Sequence, residues 1–135
     1  MTVRWPLPTG LDAVLLPAGE WWDAVRVPVF LGEGVLARLG PASGAVIRDP
    51  YGSRLYWLIE PRTAREWTFC EFASVQVLGT ASWVTVPPGT RRSPPGPHWA
   101  VPCTPTTFLT PTSRLHAALH TTISHALGPR QGTAT

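Results

Sequence analysis

Four imidazoles, two thiols, eight carboxylates and eleven guanidiniums are the main groups through which this chain could do chemistry. His116 and His120 are four residues apart, a spacing that puts both on one helix face where they could share a zinc ion. No third ligand is in evidence, because His98 is distant in sequence and His125 falls on a different side of the helix. The pair reads as two residues of a solvated face. Cys70 precedes Glu71, and neither it nor Cys103 belongs to a Cys-x-x-Cys, Gly-x-Ser-x-Gly or His-Glu-x-x-His pattern. Gly32-Glu33-Gly34 lacks the third glycine of a dinucleotide loop, and its Glu would repel a phosphate, so it reads as structural.

The acids are scattered. Two-metal nucleotidyl transfer needs two or three carboxylates converging on ions about 4 Å apart, and no D-x-D occurs. Asp49 fits a turn and Asp23 a strand entry. An active enzyme would require Asp23, Asp49 and Glu60 to gather around one metal. The expectation is instead that no catalytic residue, metal or cofactor is held. The guanidiniums offer more. Arg54 opens an apolar strand, and Arg91-Arg92 sit in a loop free to reach outward. Such residues can hold phosphates, although ordinary surface solvation explains them equally well.

The elements that would position these residues follow from pattern. Segment 12–16 is a short apolar run ended by Pro17-Ala18-Gly19, 24–30 is β-branched and strand-like, and 31–39 has helical spacing interrupted by Gly32 and Gly34. Segments 45–48 and 54–59 form a strand pair around Asp49-Pro50-Tyr51-Gly52, which suits a type I turn. Leu55-Tyr56-Trp57-Leu58-Ile59 is apolar on both faces, which predicts an internal strand. A short helix is expected over 61–67, and a further strand pair over 75–78 and 82–86. The loop 87–97, with five prolines, leads to an edge strand over 98–101. Thr110 as N-cap and Pro111 at the first helical position open a last helix that Gly128-Pro129 ends. The predicted fold is α+β, an antiparallel or mixed sheet of four to six short strands with the C-terminal helix packed on one face. Residues 1–10 are expected as a flexible arm, 11–128 as a single domain and 129–135 as a tail.

Composition bounds the function classes. At 135 residues, 44% hydrophobic and 14% charged, the chain is globular rather than disordered. All eleven basic residues are Arg and there is no Lys or Asn, a bias of the kind GC-rich bacterial genomes impose. A net charge of +3 permits a nucleic-acid partner without demanding one. Seven tryptophans point to an aromatic-rich core or to a surface kept for a partner. Two cysteines make no disulfide framework, and neither a signal-peptide core nor a membrane-length apolar run is present, so a cytoplasmic protein with reduced thiols is expected.

Four pieces, taken together, carry a resemblance: Gly52-Ser53-Arg54-Leu55-Tyr56-Trp57, Val75-Gln76-Val77-Leu78-Gly79, Ser82-Trp83-Val84-Thr85-Val86-Pro87-Pro88 and Pro97-His98-Trp99. Their order and spacing resemble the N-terminal catalytic domain of bifunctional DNA primase/polymerases, an archaeo-eukaryotic primase-like domain, here in shortened and degenerate form. The resemblance implies an active cleft at Arg54 and Gln76. The family's motif histidine falls at Arg54, however, and its later acid at Gln76, while the early D-x-D falls where only Asp23 is acidic. Arg transfers no proton near neutral pH and Gln is an uncharged, poor Mg²⁺ ligand. What the resemblance implies is therefore an inert domain that binds or regulates through nucleic acid, a nucleotide or a protein partner. A small protein–protein interaction module unrelated to nucleic acid is the alternative, and a homo-oligomer is compatible with either. The expected contact residues are Arg54, Gln76, Arg91, Arg92 and Trp99.

Overall fold

The computed structural model of the chain describes residues 5–128; the expected tail over 129–135 lies outside them, as do residues 1–4. Seven strands and two helices follow one another as β1 (Val14–Pro17), β2 (Asp23–Pro28), α1 (Val29–Leu39), β3 (Val46–Asp49), β4 (Arg54–Ile59), β5 (Gln76–Leu78), β6 (Trp83–Val86), β7 (His98–Val101) and α2 (Thr112–Leu127). Five strands make one antiparallel sheet in the order β5-β2-β4-β3-β7, and β1 pairs with β6 in a separate two-stranded ribbon. The fold is α+β. None of the described helices is long and apolar enough to cross a membrane.

The strand with two apolar faces occupies the middle of the large sheet, for the reason its sequence gives. Register pairs Trp57 with Val25 and Val46, and these side chains enter the core shared with Leu31, Val35, Leu115 and Leu119 of the two helices. On the opposite face Leu58 pairs with Ala24, and both join a second core with Val84 and Val86 of the ribbon. Helices cover one face and the ribbon covers the other. The glycines that interrupt the α1 pattern have a packing role. A Cβ on Gly32 would lie 2.5 Å from Leu55 Cδ1, and one on Gly34 would lie 2.9 Å from Thr122 Cγ2. Their absence lets α1 approach both the sheet and α2.

Four sequence expectations need correction. Residues 1–10 are not loose from Trp5 onward: Trp5 is 2% exposed, its indole meets Trp22 edge-on at 5.8 Å, and its backbone N–H donates to Pro105 O. A large indole near a partly built apolar face buries itself, whatever prolines follow. The 61–67 segment forms turns rather than a helix, because Arg62 is held in the left-handed region at φ 65°. Strands β5 and β6 do not pair with each other. The turn closed by Ser82 N–H to Gly79 O turns the chain so that β5 joins β2 while β6 crosses to β1. Thr110 does not cap α2: its Oγ1 accepts the Gly44 N–H at 2.8 Å and its own N–H donates to Leu58 O, so the helix opens at Thr112.

Candidate functional site

Three residues of β2 each line a different cavity, Asp23 on the face that carries Val25 and Trp57, and Arg26 and Pro28 on the opposite face with Ala24 and Leu58. Asp23 opens onto a cavity of about 480 Å³, Arg26 onto one of about 390 Å³ and Pro28 onto one of about 500 Å³. The first two share Phe69, Val75 and Gln76; the last two share Arg54 and Ser74. Through these shared residues the three cavities adjoin, and together they form the β2 groove, which passes from one face of the sheet to the other beside β5. The chain between β4 and β5 forms its outer wall, contributing Arg62, Arg65, Trp67 and Phe69.

Register explains why Arg54 and Gln76 meet here. Arg26 pairs with Gln76 on one side and Tyr56 on the other, and Pro28 pairs with Arg54 one step along. Arg54 and Gln76 therefore line the same cavity although 22 positions separate them in sequence. The groove holds four guanidiniums in all. Arg54 donates to Gly52 O at 2.9 Å, and Arg62 donates to Gly19 O at 3.1 Å. The guanidiniums of Arg26 and Arg65 have neither a hydrogen bond nor an ion pair among the described residues. The ion pair that the described residues do form, Arg48 to Glu33 at 2.9 Å, lies between β3 and α1, outside the groove. Two carboxylates, Asp23 and Glu71, line the groove against the four arginines. Positive charge is left over.

Asp23 is 5% exposed. Its Oδ2 accepts the Arg62 N–H at 2.9 Å, and its Oδ1 has no partner. That bond, with the Arg62 guanidinium on Gly19 O, holds Arg62 at its positive φ. A non-glycine residue in that region costs on the order of 1 kcal/mol and persists where its surroundings over-determine it. Thr63 reinforces the turn, its hydroxyl donating to Glu60 O at 2.6 Å and lying 2.8 Å from Thr112 Oγ1 at the start of α2. His116 of α2 packs against Trp67 at 5.0 Å and Phe69 at 5.4 Å between ring centroids, which fixes the aromatic part of the wall. The wall is thus tied at both ends.

The remaining expected contact residues lie elsewhere. Trp99 is 1% exposed and donates its indole N–H to Pro87 O and Pro88 O, so it belongs to the core and not to a contact surface. Arg91 donates to Leu11 O, which clasps the N-terminal segment and keeps the 87–97 loop from reaching outward. Of the loop's two arginines, Arg92 is the exposed one. Asp49 accepts the Tyr51 N–H at 3.0 Å, as a turn residue should. No three His, Cys, Asp or Glu among the described residues converge as a metal site would need. His125 accepts from Arg38 at 3.0 Å, away from His116 and its aromatic partners.

The signals for the groove were present but quiet. Arg26 interrupts the apolar run Ala24-Val25-Arg26-Val27, and the aromatics Trp67 and Phe69 follow closely on Arg62 and Arg65. Only the pairing of β5 with β2 brings those two segments together. No protein-family model, curated protein or solved structure matches this chain.

Proposed function

We propose that this chain is a non-catalytic primase/polymerase-like binding module whose ligand is a single strand of nucleic acid lying in the β2 groove. The observation that carries the reading is four guanidiniums lining two adjoining cavities, Arg62 and Arg65 in one and Arg26 and Arg54 in the other, two of them without a protein partner, with Trp67 and Phe69 beside them. Guanidiniums track phosphates through charge, and aromatic faces stack bases without regard to sequence. Arg54 and Gln76, standing where the resembling family has a histidine and an acid, support the inert half of the reading. A neutral Gln and a permanent cation suit a phosphate better than they suit a divalent metal. A protein partner is the second reading, favoured by Leu15 and Trp83, both more than half exposed on the ribbon.

Fluorescence anisotropy with labelled 15-nucleotide single strands, titrated across salt concentrations, tests the proposal. Neutralising each phosphate of a single strand contributes a slope of about −0.7 in log K against log salt. Wild type is expected to show a slope near −2, from about three contacts, and Arg26→Ala with Arg65→Ala should remove roughly two of those contacts. Absent or salt-independent binding would overturn the nucleic-acid reading and leave the protein-partner one.

A further inference from the structure

The end of the groove at the start of β2 combines features that the phosphate-binding reading does not use. Asp23 lies there with one carboxylate oxygen engaged by the Arg62 N–H and the other, Oδ1, buried without a partner. A carboxylate is acceptor-only, so Oδ1 can be satisfied only by a donor. An anionic phosphate brings no donor and is repelled. Trp67 and Phe69 line the same cavity, set edge to face at 82° with 5.9 Å between centroids, so a planar ring can stack on one of them. Gly79 adjoins the carboxylate, with its would-be Cβ at 3.4 Å from Oδ2 and 3.6 Å from Oδ1, and so sets no side chain over it.

We propose that this end of the groove is a base-reading subsite in which Asp23 Oδ1 accepts a hydrogen bond from the exocyclic amine of a nucleobase. The proposal rests on the nucleic-acid reading above. Bases that present an amine, cytosine among them, satisfy Oδ1. Uracil and thymine present a carbonyl oxygen at the same place, which sets acceptor against acceptor. Only one oxygen is free, so one donor is enough and the paired donors of guanine are not required. The aromatic wall favours a base, whose planar ring stacks on an aromatic face. Asp23 is then a specificity-determining residue, while the arginines supply affinity without reading sequence.

Oligodeoxycytidine and oligodeoxyuridine 15-mers separate the two levels, since their bases differ at position 4 and its neighbouring N3 proton while charge and size are matched. Wild type is expected to bind the cytidine strand about tenfold more tightly. Asp23→Asn offers a donor as well as an acceptor at the same site and should reduce the preference to less than about threefold. Gly79→Val, which sets a side chain beside the carboxylate while leaving the Asp23–Arg62 bond in place, should reduce it likewise and keeps the test decisive if Asp23→Asn does not fold. Equal, salt-dependent binding of both strands by wild type overturns the subsite and leaves the groove standing. Binding of neither strand overturns both. A preference that survives in folded Asp23→Asn, or in Gly79→Val, overturns the role given to Asp23.

Discussion

Cys103 shows how burial decides a residue's chemistry. It lies 5% exposed beneath the N-terminal segment, and desolvation pushes its thiol up to about 12 from an ordinary 9.0, with a hydrogen bond from Trp5 pulling weakly the other way. At neutral pH its thiolate fraction is about a thousandth of an ordinary cysteine's. Cys70 is only half-buried and lines a cavity of the groove, where a reagent can reach it. In folded protein, an alkylating reagent should therefore modify Cys70 and spare Cys103, read by mass spectrometry of the digested chain. The same raised value makes stability depend on pH. The proton stays on in the folded state and leaves in the unfolded one, so stability is full below about pH 9.0 and falls as pH rises toward about 12. Denaturant midpoints measured across that window should decline, and a Cys103→Ala variant should decline less. Modification of Cys103 at the rate of Cys70 would contradict its burial.

Among the elements, α1 carries the sharpest packing constraint. Alanine is the better helix former by about 1 kcal/mol, so an exposed Gly→Ala change in a helix stabilises. At Gly32 the new Cβ would lie 2.5 Å from Leu55 Cδ1 and 3.1 Å from its Cγ, and Leu55 is fully buried in the middle strand. Overpacking of this kind costs about 1–3 kcal/mol. Gly32→Ala is therefore expected to lower stability on balance, measured as a reduced urea midpoint with unchanged m-value. A gain of about 1 kcal/mol would show that α1 does not pack this closely. The periodicity of 31–39 announced the helix, but not why two glycines interrupt it, since that reason lies in Leu55 and Thr122 on other elements. The same limit explains what else was legible. Strand β4 declared its central place through two apolar faces of its own, and Asp49 declared its turn within four residues. The partner of β5 lay some fifty positions back in β2, and the fate of 61–67 depended on Asp23, some forty positions away, reaching the Arg62 N–H. Arg54 and Gln76 share a cavity, while Trp99 looked like a contact residue only because nothing local says that Pro87 and Pro88 present their carbonyls to it.

At the scale of the whole molecule, the chain is three layers: two helices, a five-stranded sheet and a ribbon completed by the N-terminal segment. The outer layer is thin, four residues in each of its strands, and a two-stranded ribbon has little stability of its own. What seats it is aromatic. Trp5 lies between Trp22 at 5.8 Å and Phe108 at 5.5 Å, with Trp99 and Val84 in the same core. Backbone bonds then hold the segment on both sides: Trp5 N–H to Pro105 O, and Gly89 N–H to Pro8 O. Arg91, expected to reach a partner, closes the same seam by donating to Leu11 O. Truncating a fully buried Trp costs about 3–5 kcal/mol, and a domain of this size holds on the order of 5–15 kcal/mol in total. Trp5→Ala is therefore expected to remove a large fraction of the stability, with the loss read from urea unfolding. Arg92→Ala, an exposed charge on the same side, should change it by less than about 0.5 kcal/mol. The groove lies on the opposite edge of the sheet from β7, so a Trp5→Ala protein kept below its unfolding midpoint should still bind a single strand with wild-type salt dependence. If Trp5→Ala unfolds at the same urea concentration as wild type, the N-terminal segment is the loose arm its prolines suggested and the third layer does not depend on it.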